Sequence, residues 1–480
     1  MKRTAEFMPI LLIHPPCKKI YQPIFPLGLA YIAGSLLQAG YEIEVWDINA
    51  EKWTEDQVVH KIEALGDAFR LVGISALTGD YLYVEWICHV LKRIKPEIKI
   101  VLGGHLASAL PQFLMEHLPI DYIVVGEGEE TIVALAHHIR DRIEPKAVAG
   151  LYFRTLSGGI VRTAARPRLP DLNALPLPPW DHFPMAEYLA APFQGYEPQT
   201  FEKGAGAMSI MAGRGCPFDC IYCDHTIKGY PVRYRSVAGV LNELKLLVSK
   251  YGDRIQFFYF WDDILIWDHA WMYEFCDALE REQLKIRWTC NGHVHKVDAR
   301  LMGRMKDAGC FDVRFGVESG SQPTLDWLNK HVQVDQSIQA LQTCLDVGLN
   351  ITIYMLVGAA VETQDTVDDS LKFIQALIDP GNVRQITAVH FFMITPFPGT
   401  RIFDQAIKRG LIPDMAAFLR KGFDACEDIP VNHAGCPDDE LRRRKKYLEL
   451  GTAQWINNQN LHLYDLLRKA GKELRACRSS

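Results

Sequence analysis

Most of the features that classify a protein at a glance are missing from this 480-residue chain. Its 52 Lys and Arg are outnumbered by 58 Asp and Glu, for a net charge of −6, so there is no basic surplus to neutralise phosphates and nucleic acid is not expected as a substrate. No apolar run approaches the roughly 20 residues that cross a bilayer. The opening, Met1-Lys2-Arg3-Thr4-Ala5-Glu6-Phe7-Met8-Pro9, has neither the apolar core nor the cleavage site of a signal peptide, so a cytoplasmic protein is expected. Twelve cysteines are too thinly spread for a disulfide scaffold. Cys88, Cys276, Cys290, Cys310 and Cys344 fall inside periodic segments and read as small buried hydrophobes in a reducing compartment. There is no internal repeat, no low-complexity tract and no Gly-x-Gly-x-x-Gly, which leaves a nicotinamide cofactor without support. A hydrophobic content of 48% with 23% charged residues is ordinary for globular chains and predicts two or three domains with large cores.

One segment departs from this plain background: Arg214-Gly215-Cys216-Pro217-Phe218-Asp219-Cys220-Ile221-Tyr222-Cys223. Thiolates this close on one loop suit a soft metal centre, and three of them, rather than four, leave a coordination position open. A structural zinc site would need a fourth Cys or His at short range. The nearest, His225, is too close to Cys223 for an easy tetrahedral site. The spacing, with Tyr222 before the last cysteine and Gly215 at the entry, resembles the signature of the radical S-adenosylmethionine (SAM) superfamily. That resemblance implies that Cys216, Cys220 and Cys223 hold a 4Fe-4S cluster whose fourth iron takes SAM.

The first 150 residues alternate short apolar stretches with amphipathic ones. Ile10 to His14, Ile43 to Trp46, Leu71 to Ala76, Ile98 to Leu102 and Tyr122 to Val125 are strand-like. Helical periodicity falls around Leu29 to Gln38, Val58 to Leu65, Tyr81 to Ile94, Ala107 to His117 and Glu129 to Ile139. Five such units predict a doubly wound, Rossmann-like parallel sheet, whose ligand lies outside the carboxyl ends of the strands. The loops there are Ser75 to Gly79, Gly103-Gly104-His105 and Gly126-Glu127-Gly128-Glu129. Together with Pro26-Leu27-Gly28 and Val45-Trp46-Asp47, they resemble the cobalamin-binding domain fused to many radical SAM proteins. The resemblance marks Leu27, Ser75, Thr78, Gly103, Gly104, His105, Gly126 and Glu127 as cobalamin contacts. The Asp-x-His-x-x-Gly that places a His beneath cobalt is absent, because the loop after the first strand reads His14-Pro15-Pro16-Cys17. A His-ligated corrinoid is therefore not expected. His14 and His105 read first as hydrogen-bonded loop residues. Gly103 and Gly104 would either admit a large planar ligand close to the backbone or form a plain tight turn.

A Pro-rich stretch from Arg166 to Pro192, including Leu175-Pro176-Leu177-Pro178-Pro179-Trp180, resists helix and sheet and reads as an extended linker within residues 151–203. A second series then begins. Met208 to Ala212, Ile255 to Phe260, Ile286 to Cys290, Asp312 to Phe315, Ile351 to Val357 and Ile386 to Met393 alternate with helices, so residues 204–400 predict a partial (β/α)6 barrel. Its site belongs at the carboxyl ends of the strands, where the cysteine loop follows the first. Asp262-Asp263 ends the second strand and reads equally as a functional pair or as caps for the next helix. Gly316-Val317-Glu318-Ser319-Gly320-Ser321 resembles the superfamily's SAM-contacting segment. Val357-Gly358-Ala359-Ala360-Val361-Glu362 resembles its adenine-side loop in degraded form. Thr395-Pro396-Phe397-Pro398-Gly399-Thr400 fits the family and is otherwise a tight turn. The resemblance thus marks Tyr222, Asp262, Glu318, Ser319 and Gly358 as SAM contacts. Residues 401–480 read as a helical region with segments at Asp438 to Leu450 and Gln454 to Leu467, in which Arg442 to Lys446 form a solvated basic face.

Taken over all but the tail, the sequence is similar to the cobalamin-dependent radical SAM enzymes, the group containing the anaerobic magnesium-protoporphyrin ester cyclase and radical methylases. This implies a 4Fe-4S cluster, SAM and cobalamin as cofactors and a flavodoxin- or ferredoxin-type electron donor. It also implies methylation of an unactivated carbon on a small, natural-product or tetrapyrrole-like molecule. A ring-forming member without methyl transfer is the alternative reading. An RNA methylthiotransferase would need a second cysteine triad in the first domain, where only Cys17 and Cys88 occur. A corrinoid carrier would leave the triad without a purpose.

Overall fold

The structure, a computed structural model, describes residues 8–16, 24–155, 157–191, 206–224, 226, 231–422 and 428–459. Cys17, His225, the end of the Pro-rich stretch and the predicted helix beyond 459 lie outside these residues.

Seven strands form the first sheet: β1 (Ile10–His14), β2 (Ile43–Asp47), β3 (Leu71–Ser75), β4 (Lys99–Gly103), β5 (Tyr122–Val124), β6 (Leu151–Arg154) and β7 (Ile160–Arg162), in the order β2-β1-β3-β4-β5-β6-β7. The first five are parallel, as the alternation predicts. Ile10, Leu11, Leu12 and Ile13 are all buried because helices cover both faces, which is why β1 reads as an unbroken apolar run. The last two strands are antiparallel additions within the stretch expected to be linker.

The Pro-rich segment also departs from expectation. Far from being draped over the surface, it buries Leu172, Trp180, Phe183, Met185, Tyr188 and Leu189 and includes a short helix, Met185–Ala190. The prolines prevent long elements, while the aromatics between them pin the chain against both neighbouring units. Tyr188 donates its hydroxyl to the fully buried Asp47 at the end of β2, which also accepts from Ala50 N and pairs with His14 Nδ1, each at 3.0 Å.

After β8 (Gly206–Ile210), the short pair β9 (Gly213–Arg214) and β10 (Arg233–Tyr234) frames the cysteine loop. β11 (Ile255–Phe260), β12 (Trp288–Gly292), β13 (Cys310–Glu318), β14 (Asn350–Val357) and β15 (Ile386–Met393) then join β8 in a six-stranded, all-parallel sheet of order β15-β14-β13-β12-β11-β8. Spatial order following chain order is the topology of an open half barrel. Outward-facing Phe258, Phe260, Trp288 and Phe315 are buried under helices, each worth about 1.5–3 kcal/mol. Cys88, Cys276, Cys290, Cys310 and Cys344 are buried as expected, and burial pushes Cys88 and Cys276 up to about 12.

One apolar core runs from the helix Leu27–Gln38 through Trp180 to the outer face of the half barrel. A second lies on the other face of the first sheet and takes in Phe403, Ile412, Phe418 and Leu419. Among the described residues after β15, the first part packs on the first sheet, and the helix Asp438–Gln459 packs on the helix Gln364–Leu377 and on β15. No described helix is long and apolar enough to cross a membrane.

Candidate active site

The site forms where the carboxyl ends of both sheets meet. Asp262, at the end of β11, accepts from Ala212 N (3.1 Å) and Gly213 N, fixing the base of the cysteine loop. Burial pushes this carboxyl up to about 7 against those two amide bonds. Further along, Ile221 N donates to Leu328 O (3.0 Å), and Ile221 O accepts from Ile402 N (2.9 Å). Asp219 is gripped by Asn329 Nδ2, His331 Nε2 and Arg401, and the bond from Arg401 is the largest of the effects holding its carboxyl below the ordinary range.

Thus held, Cys216 and Cys223 are half-buried and Cys220 is buried. Burial raises the Cys220 thiol, with the Lys330 ammonium opposing it. Among the described residues no three or more His, Cys, Asp or Glu side chains converge on a single metal ion. Three thiolates on one short, fixed loop, with a buried ammonium alongside, fit instead a cluster in which each cysteine takes its own iron.

Beside the loop lies a buried polar knot. Glu318 Oε1 accepts from Tyr222 OH (2.8 Å) and Lys330 Nζ (3.1 Å), and Lys330 Nζ also reaches Tyr222 OH at 3.2 Å. Glu318 ends β13 at φ 70°, after a register shift from Gly316. A Cβ at Gly316 would stand 2.3 Å from Glu318 Oε1 and 3.4 Å from Lys330 Nζ, so a side chain there would push the Glu318 carboxylate out of its place in the knot. Desolvation, then the Glu318 charge, pushes Tyr222 well above its ordinary value. Lys330 carried no sequence signal, since it lies outside every motif.

His293, past the end of β12, was likewise unmarked. Its ring stacks on Phe218 of the cysteine loop, with centroids 3.9 Å apart and planes at 14°. Deeper in the half barrel, buried Asp312 accepts from Thr352 (3.1 Å) and Thr387 (2.8 Å), and Arg314 donates to Tyr354 OH (2.8 Å).

The other three residues marked as SAM contacts have these partners within the protein. Ser319 bonds Ser370 Oγ at 3.1 Å, on the helix side. Gly358 N donates to Glu362 Oε2 (2.8 Å), and a Cβ there would meet Leu441 at 3.3 Å. Asp262 spends both oxygens on the loop base. The structure brings Tyr222 and Glu318 into direct contact, while Ser319, Gly358 and Asp262 bond to neighbouring loops and helices.

At the end of the first sheet, Ser75 pairs in register with Gly103, Thr78 is buried in the turn after β3, and Leu27 opens its helix half-buried. Cβ atoms at Gly103 and Gly126 would meet nothing within 4 Å, whereas one at Gly104 would lie 2.7 Å from Ala76 O. A tight Gly104 turn beside open faces at Gly103 and Gly126 fits the edge of a broad ligand.

This edge is tied directly to the cysteine loop. His105 Nδ1 lies 2.7 Å from Asp224 Oδ2, one residue beyond Cys223. Glu127 takes Arg233 at 2.6 and 3.1 Å and the Leu169 amide at 2.7 Å, and Arg214 Nη2 donates to Glu129 Oε1 at 2.5 Å. Burial pulls the Glu127 carboxyl up, but its bonds to Arg233 and Leu169 N leave it below the ordinary range. His105 and Glu127 thus hold the two units together.

Residues 13–136 match the B12 binding domain family, and residues 210–374 match the Radical SAM superfamily. An uncharacterized methyltransferase of Pyrococcus horikoshii is 29% identical over 85% of each chain. The anaerobic magnesium-protoporphyrin IX monomethyl ester cyclase of Rubrivivax gelatinosus is 28% identical over 83% of this chain and 70% of its own. Among solved structures, the radical SAM methyltransferase TsrM of Kitasatospora setae, with cobalamin and a [4Fe-4S] cluster bound, shares the fold with a TM-score of 0.68. It is 20% identical and the match covers 84% of this chain and 78% of that one.

Proposed function

The chain belongs to the cobalamin-dependent radical SAM enzymes, and on that premise we propose that it transfers a methyl group to an unactivated carbon of a small molecule. The carrying observation is the direct join between the open glycine edge of the first sheet and the cysteine loop of the second, through His105–Asp224 and Glu127–Arg233. A transfer between two cofactors needs them held at short range with water excluded, and this join, which ties the two strand ends to each other, supports that reading.

Bound together, the cluster, SAM and cobalamin would supply a 5′-deoxyadenosyl radical to take hydrogen from carbon and a methyl group to replace it. Cys216, Cys220 and Cys223 would hold the cluster on a loop kept in place by Asp219 and Asp262. Tyr222, Glu318 and Lys330 would orient SAM beside it. Ser319, Gly358 and Asp262 would act through the backbone they position. On the facing edge, Leu27, Ser75, Thr78, Gly103, Gly104 and Gly126 would line the corrin, while His105 and Glu127 set its distance from the cluster. In this division residues 1–150 carry cobalamin, 151–203 join the units, 204–400 bind SAM and 401–480 close the assembly. The substrate is a natural-product or tetrapyrrole-like molecule, the electrons come from a flavodoxin- or ferredoxin-type donor, and the compartment is the cytoplasm, where thiols stay reduced.

The test is anaerobic reconstitution with iron, sulfide and cobalamin, followed by reaction with trideuteromethyl-SAM, a reductant and a small-molecule extract. Formation of 5′-deoxyadenosine and S-adenosylhomocysteine together, with deuterium in a new product, is expected. The first without the second would replace methylation by ring formation. Neither product, or the same products from a Cys216→Ala, Cys220→Ala, Cys223→Ala variant, would overturn the proposal.

A further inference from the structure

The basic run Arg442 to Lys446 is not the solvated face that its composition suggests. The side chains of Arg442 and Lys446 are 52% exposed, but Arg444 and Lys445 are buried. Lys445 pairs with Glu449 within its own helix, whereas Arg444 reaches across to a different element. Its Nη1 donates to Glu362 O at 2.9 Å and stands 3.7 Å from Glu362 Oε1, while Nη2 donates to Glu440 Oε1 at 2.6 Å. A buried guanidinium therefore joins the helix Asp438–Gln459 to the loop after β14.

That loop depends on the carboxylate that Arg444 faces. Glu362 is buried, and its Oε2 accepts from Gly358 N at 2.8 Å, so the side chain closes the turn back onto its first residue. Gly358 sits at φ 103°, and the residues between are Ala359, Ala360 and Val361, none of which fixes the backbone as a proline would. Burial pulls the Glu362 carboxyl up, and the Gly358 amide and then the Arg444 charge oppose it. Without the guanidinium, a buried carboxylate has to take a proton or turn out to water, and the loop loosens. The helix, by contrast, does not need Arg444 to keep its place. Leu441 and Leu448 lie in the core, Trp455 Nε1 donates to Ile378 O at 3.0 Å, and Gly451 comes so near Leu371 that a Cβ would stand 2.8 Å from it.

We infer that Arg444 is a positioning residue: acting through Glu362, it fixes the loop from Gly358 to Glu362, so that the C-terminal helix sets the affinity for the nucleoside half of SAM. The inference rests on the function proposed above, in which Gly358 acts on SAM through its backbone. Leu441 works from the same helix, standing 3.3 Å from where a Gly358 Cβ would lie. A firmly seated helix thus supplies the rigidity that the loop sequence lacks.

The experiment uses the full chain reconstituted with cluster and cobalamin. Anaerobic equilibrium dialysis compares SAM with 5′-methylthioadenosine, which keeps the nucleoside and lacks the amino acid part. Arg444→Met retains the apolar stem and removes the charge. It is expected to weaken both ligands alike, by roughly 10-fold, with wild-type iron and cobalamin content. In 5′-deoxyadenosine formation the KM for SAM should rise by the same factor while kcat stays close to that of the wild type. Arg444→Lys should recover most of the affinity, and Glu362→Gln should match Arg444→Met, with no further loss in the double variant. Unchanged binding, a loss confined to SAM, or additive losses in the double variant would overturn the assignment. So would loss of iron or cobalamin in both Arg444→Met and Glu362→Gln, which would make the pair a general support of the fold. Wild-type enzyme with a full cluster that binds neither ligand would instead overturn the function on which the inference rests.

Discussion

His433 shows how far a single side chain can stand from its preferred surroundings. It is 2% exposed near Trp327, and neither ring nitrogen has a hydrogen-bond partner among the described residues. Burial, then the charge of Arg409, lowers it from its ordinary value to about 4. The unfolded chain therefore binds the proton first as pH falls. Stability from keeping this ring neutral is complete above about pH 6.5 and is lost as pH drops towards 4, by up to about 3 kcal/mol. His390, also lowered to about 4 by burial and then by Arg314, adds to the same decline. Replacing His433 by Leu should flatten the fall of the melting temperature between pH 6.5 and 4 without loss at pH 7. An unchanged slope would mean that His433 is solvated in solution.

The end of β13 illustrates the same economy in a whole element. An ordinary strand would carry Glu318 past Gly316 in regular alternation, but the register shift and the positive φ turn it back over the glycine to meet Lys330 and Tyr222. That strained conformation persists because the buried ion pair holds it. Glu318→Gln should destabilise the chain by about 3–5 kcal/mol, since Lys330 is then a buried charge without its partner. Adding Lys330→Met should recover most of the loss. Denaturant unfolding of the two single variants and the double variant would reveal this coupling, and strictly additive losses would show that the knot does not act as a unit.

Across the molecule, charged ties and an apolar core join the two sheets in different ways. Glu127 with Arg233 and Arg214 lies at the strand-end edge facing the cysteine loop, while the core from Leu29 and Ala33 through Trp180 to Val240 and Phe260 continues behind it. Glu127→Ala leaves Arg233 buried without its carboxylate and should cost about 3 kcal/mol. Because the core spans both units, thermal unfolding should remain one transition at a lower midpoint. Two separate transitions in calorimetry would show instead that the ion pairs, and not the core, make the units cooperate.

The alternating periodicity by itself determined the five parallel strands of the first sheet and the six of the half barrel, because strands buried on both faces must be continuous apolar runs and the helices between them must be amphipathic. Spacing alone marked Cys216, Cys220 and Cys223, since clustered thiolates have few other uses. The antiparallel β6 and β7, and the anchoring of the Pro-rich segment by Trp180, Phe183 and Tyr188, were not legible, because short strands among prolines leave no period to read. Nor was the sorting of the loop residues. Ser75 to Gly79, Gly103 to His105 and Gly126 to Glu129 could be placed at strand ends, but only the packing of one sheet against the other turned His105 towards Asp224 and Glu127 towards Arg233. Lys330 and His293 belong to no motif. They enter the site because the turn after Trp327 and the end of β12 arrive beside the cysteine loop, and a buried charge or N–H takes on meaning only from the groups the fold sets around it.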